Sequence, residues 1–88
     1  MKELLNKLGI TQAGYFSKDK SYIIDFDDDK EYNKAFSRID KSNLLEEDPD
    51  TSVINTNVSN IVYTNDNFIL NMIADFDSDT YKLVVKEI

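Results

Sequence analysis

Two groups of carboxylates are the residues in this chain whose types and spacing could do chemistry. Asp25, Asp27, Asp28 and Asp29 form the first, and Glu46, Glu47, Asp48 and Asp50 the second, with an amphipathic stretch between them. From Asp25 to Asp50 there are ten acids against four bases (Lys30, Lys34, Arg38 and Lys41), a net of −6 out of −7 for the whole chain. Such clusters serve three kinds of chemistry: calcium coordination, acid/base catalysis by paired carboxylates, and electrostatic recognition of a basic partner.

Calcium fails on spacing. Asp25-Phe26-Asp27-Asp28-Asp29 has the D-x-D-x-D opening of an EF-hand loop. Lys30 stands where glycine makes the turn, and Phe36 where a bidentate glutamate closes the shell. Asp75-Phe76-Asp77-Ser78-Asp79 repeats the opening, with Thr80 and Lys86 at those two places. Both read as strand end, turn and helix cap, so no metal is expected. Glycosidase-type catalysis needs two acids facing each other across a cleft, about 5–10 Å apart. Here the acids fall on turns and one helix edge of a chain too small to enclose a sugar, so no catalytic residue is expected.

The missing residue types narrow function further. Histidine is absent, which removes the usual general base near neutral pH and every His-liganded metal site. Cysteine is absent, so there is no disulfide and no thiolate nucleophile. Gly9 and Gly14 are the only glycines, too few for a phosphate cradle. No apolar run approaches the roughly 20 residues that span a bilayer, and Met1-Lys2-Glu3 does not open a signal peptide. A charge of −7 disfavours direct binding to nucleic acid or anionic lipid. Tyr15, Tyr22, Tyr32, Tyr63 and Tyr81 lack the interleaved bases of a base-stacking platform. A non-enzymatic cytoplasmic protein without cofactor, acting off the membrane, is the expectation.

The elements that must position the acids follow from periodicity. Leu4, Leu5 and Leu8 share one face of a short helix over 2–8, with Gly9 at the C-cap and Ile10 folding back. Residues 15–17 and 22–26 read as a hairpin about a polar turn, with Tyr22, Ile24 and Phe26 on one face. Asp27, Asp28 and Asp29 are N-cap candidates for a helix ending near Ser42, and Tyr32, Ala35, Phe36 and Ile39 form its buried stripe. Residues 43–51 read as a connector with Leu44 and Leu45 tucked beneath it. Strands are expected over 53–63, 68–76 and 81–88, joined by short turns. The expectation is a single α+β domain over 1–88, in the order α-β-β-α-β-β-β. It would have an antiparallel or mixed sheet of about five strands and two helices.

This element order, together with the acidity, loosely resembles phage DNA-mimic inhibitors such as the uracil-DNA glycosylase inhibitor, with no specific motif shared. Carboxylates spaced along a helix edge and its flanking turns can imitate the phosphates of a duplex, and this pattern, like the resemblance, implies a protein that occupies the basic surface of a nucleic-acid-processing protein. Its binding residues would be Asp27, Asp28, Asp29, Glu31, Glu46, Glu47, Asp48 and Asp50. An immunity or antitoxin-like protein blocking a basic toxin uses the same physics. The third reading is a structural or assembly module, including a homodimer, whose acidity serves only solubility.

Overall fold

The computed structural model describes residues 2–88. Its elements are α1 (Lys2–Lys7), β1 (Tyr15–Phe16), β2 (Tyr22–Phe26), α2 (Asp29–Ser42), β3 (Glu46–Glu47), β4 (Val53–Ile54), β5 (Val58–Thr64), β6 (Phe68–Asp75) and β7 (Thr80–Glu87). The strands form one antiparallel sheet in the order β1-β2-β7-β6-β5-β3, and β4 shares the outer edge of β5 with β3.

The class is α+β with two helices, and the sheet has seven strands rather than about five. The two additional strands arise from side-chain geometry and edge pairing. Residues 53–63, expected as one strand, fold back at 55–57. There Asn55 Oδ1 accepts from the backbone N–H groups of Asn57 and Val58, both at 2.8 Å, an Asx turn that stands in for a backbone turn. Within 43–51, expected as pure connector, Glu46 and Glu47 pair opposite Thr64 and Tyr63. Leu45 is buried beneath this segment, while Leu44 is exposed.

Both helices are capped as their sequences indicate. Gly9 takes φ +71, and its N–H donates to the Asn6 carbonyl while the Ile10 N–H donates to Leu5, both at 3.0 Å. This is a Schellman motif, and buried Ile10 completes it. Asp28 caps α2 by accepting from the Glu31 N–H at 2.9 Å. Tyr32, Ala35 and Ile39 are buried, Phe36 is half-buried, and Asn43 closes the helix in the left-handed region.

Strand register decides what the helices cover. Residues directly opposite one another point to the same side of a sheet. Three rows therefore face the helices: Tyr22–Val85–Leu70–Tyr63, Ile24–Leu83–Met72–Ile61, and Phe26–Tyr81–Ala74–Ser59–Ile54. With Leu4, Leu5, Leu8 and the α2 stripe these rows make one continuous core, except at the end of the third row, where Ser59 is half-buried and Ile54 exposed. The reverse face carries Ile23, Asn71, Ile73, Lys82 and Val84, each half-exposed.

Candidate protein-binding site

Both β2 and β6 run antiparallel to β7 and flank it, so their C-terminal ends meet at one end of the sheet. Beyond β2 come Asp27, Asp28 and Asp29, while β6 ends in Asp75 and leads to Asp77 and Asp79. Six aspartates from distant segments therefore share that end. The two groups lie roughly 10 Å apart across β7, from a strand spacing of about 4.8 Å. Among the described residues none of the six forms a salt bridge with a lysine or arginine.

Their local roles differ. Asp28 is the helix cap. Asp75 Oδ1 accepts from the N–H groups of Asp77 and Ser78 at 3.1 and 3.3 Å, shaping the β6–β7 turn. Asp79 accepts the Tyr81 hydroxyl at 3.0 Å. That bond, then burial, then the charges of Asp79 and Asp29 hold the Tyr81 hydroxyl above the usual tyrosine range. Asp27, Asp29 and Asp77 are exposed, with no side-chain hydrogen bond among the described residues. No three carboxylates among the described residues converge closely enough to hold a metal ion.

The eight acids singled out in the sequence fall in two places. Asp27, Asp28, Asp29 and Glu31 lie at the start of α2. Glu31 is already engaged there, accepting from Gln12 Nε2 at 3.0 Å and pairing with Lys34 at 3.5 Å. Glu46, Glu47, Asp48 and Asp50 run along the β5 edge, where Asp48 N–H donates to the Val62 carbonyl and Asp48 Oδ1 accepts from the Asp50 N–H. Glu46 stands opposite Thr64, whereas Asp75 stands opposite Val58 at the other end of the same strand. At about 3.4 Å per residue the separation along β5 is roughly 20 Å. Lys34, Arg38 and Lys41 are exposed on α2. The acids thus form two patches rather than one band.

Asp75, Asp77 and Asp79 were not among those eight. Their signal is the match of Asp75-Phe76-Asp77 to Asp25-Phe26-Asp27, since both triplets mark a strand leaving the sheet at the same end. The two phenylalanines then diverge. Phe26 is 7% exposed and meets Tyr32 edge-to-face at 6.1 Å, whereas Phe76 is 52% exposed.

Phe76 borders a groove of about 360 Å³ beside α2. Its lining includes Ser59, Ile61 and Ala74 from the sheet, Asp29, Tyr32 and Phe36 from the helix, and Tyr81 and Ile54. Tyr32 meets Tyr81 and Phe36 in tilted ring contacts, with centroids 5.5 and 6.3 Å apart. No helix among the described residues is long and apolar enough to cross a membrane. No family model matches the sequence, and no curated protein or solved structure matches the chain.

Proposed function

We propose that this chain is a non-enzymatic protein-binding module whose acidic end occupies the basic surface of a nucleic-acid-processing protein. The observation that carries the reading is the gathering of two aspartate groups, distant in sequence, at one end of the sheet, with no salt bridge to a lysine or arginine among the described residues. A surface built to neutralise phosphates attracts such an end over long range, and the attraction weakens with salt. Glu46, Glu47, Asp48 and Asp50 supply a second contact farther along the molecule. An inhibitor in a phage or mobile-element setting and an antitoxin-like protein blocking a basic toxin share this physics and differ in target.

The test is capture from a host-type lysate at low salt, with elution by a salt gradient and mass spectrometry. Wild type is compared with Asp27→Lys/Asp77→Lys, which leaves the cap and the turn intact. The expected result is a basic nucleic-acid-binding protein or toxin released at moderate salt and lost by the variant. Equal recovery by both proteins, insensitive to salt, sinks the reading.

A second reading, an assembly module, is favoured by the half-exposed Ile23, Ile73 and Val84 on the reverse face and by exposed Val53 beside it. Light scattering across protein concentrations tests it, with a concentration-dependent dimer as the expected outcome.

A further inference from the structure

We infer that the groove beside α2 receives an arginine side chain from a basic segment of the partner, its guanidinium lying between aromatic rings and the Asp29 carboxylate. This rests on the acidic-end reading and gives that surface its anchor.

The groove follows from the mismatch between one helix and a wide sheet. A helix about 10 Å across covers about two strands spaced 4.8 Å apart. At this end the row facing α2 is five residues wide, Phe26–Tyr81–Ala74–Ser59–Ile54. Tyr32 packs on Phe26 and Tyr81, so the helix sits over β2 and β7. Beyond them the row continues with the small residues Ala74 and Ser59 and ends at Ile54, all three of which line the groove. The result is a trough with aromatic rings along one wall and aliphatic and aromatic groups along the other.

Two exposed apolar side chains border it on hydrogen-bonded backbone. Ile54 is 73% exposed although its strand pairs with Ser59. Phe76 is held by a 2.8 Å bond from its N–H to the Asn57 carbonyl. Large apolar groups fixed in this way beside a depression form an anchor pocket of the kind that dominates protein interfaces.

Charge selects the occupant. Asp29 is part of the lining, Asp79 holds the Tyr81 hydroxyl, and Asp77 follows Phe76 in the chain. An apolar peptide would strip water from Asp29 without replacing it. A second copy of this chain would bring like charges together. Arginine satisfies both requirements. Its stem covers apolar surface, and its planar head stacks on rings while bonding a carboxylate, which lysine does less well.

The test is nitrogen-15 NMR of the full chain at low salt, titrated with an acetylated hexapeptide of alternating leucine and arginine. Its citrulline counterpart keeps the shape and removes the charge. Two variants accompany wild type: Ile54→Ser/Phe76→Ser on the groove rim, and Asp27→Asn/Asp77→Asn outside the lining. The arginine peptide is expected to shift the amides of Ser59, Ala74 and Phe76 saturably, and the citrulline peptide to leave them still. The rim variant, its fold verified by its own spectrum, should bind about tenfold more weakly. If the rim variant binds like wild type while the Asp27/Asp77 variant loses affinity, the groove is overturned and the acidic end stands. If the arginine peptide shifts nothing, the groove inference is overturned, and the lysate capture decides the acidic end by itself. Shifts at these amides that appear with protein concentration alone assign the groove to a second copy and overturn the arginine.

Discussion

Phe26 stands directly opposite Tyr81 across β2 and β7, and Tyr81 stands opposite Ala74 on β6. This shared register brings the aspartates after Phe26 beside those after Ala74, although some fifty residues of chain separate them. Carboxylates about 10 Å apart lie within about a Debye length at low ionic strength and repel. Asp27→Asn/Asp77→Asn should therefore stabilise the fold by about 0.5–1 kcal/mol at low salt. Added salt should raise the wild-type melting temperature more than the variant's. Equal salt responses in thermal melts at about 10 and 500 mM would show that the two groups do not interact.

Capping separates Asp28 from its neighbours. Its Oδ1 bonds the Glu31 N–H, so Asp28→Ala should cost about 1 kcal/mol in urea denaturation and Asp28→Asn almost nothing. Asp27→Ala, which removes no bond, should not destabilise. A loss at Asp27 equal to that at Asp28 would refute the cap assignment.

The two glycines are required for different reasons. At Gly9 the φ of +71 sets the cost. An added Cβ would meet Arg38 at an ordinary 3.6 Å, so Gly9→Ala should lose about 1–2 kcal/mol. At Gly14 a Cβ would collide with the Ile23 carbonyl oxygen, which the backbone must move to relieve. Gly14→Ala should cost at least as much, about 1–3 kcal/mol. It should also expose the β1–β2 pairing to hydrogen exchange, whereas Gly9→Ala should spare that pairing.

Alkaline pH should find the two buried tyrosines. Burial, then the neighbouring Tyr81, pushes Tyr32 up to about 12. Burial first, and then the charge and hydrogen bond of Asp40, holds Tyr63 above the usual range. The Tyr63 hydroxyl donates to Asp40 Oδ1 at 3.2 Å. Unfolded tyrosine ionises near about pH 10. The native state therefore binds more protons than the unfolded one above that pH, and stability must fall as pH rises. Urea melts should be flat up to about pH 9 with respect to these groups and decline beyond about pH 10. Tyr63→Phe should lower neutral stability by about 0.5–1.5 kcal/mol and shallow the alkaline decline. An unchanged alkaline slope in that variant would remove Tyr63 from the account.

What the sequence determined by itself is local. The α2 stripe Tyr32, Ala35, Phe36 and Ile39, the cap at Asp28, the Schellman turn at Gly9 and the shared face of Tyr22, Ile24 and Phe26 in β2 each depend on residues within about four positions. Asn55 was nearly legible as well, since an asparagine can turn the chain by bonding its own backbone, but the β-branched residues around it read as one strand. The edge position of β3 was not legible, because Glu46 and Glu47 have no strand propensity and pair only where the β5 edge is open. Tertiary structure alone decided which acids meet and which stay apart. It set Asp75, Asp77 and Asp79 beside Asp27 and sent Glu46 to the far end of β5. It also left Phe76 bare while Phe26 was covered. Each of these depends on the register of strands distant in the sequence and on how far one helix reaches across a sheet, and neither is written in any short window of residues.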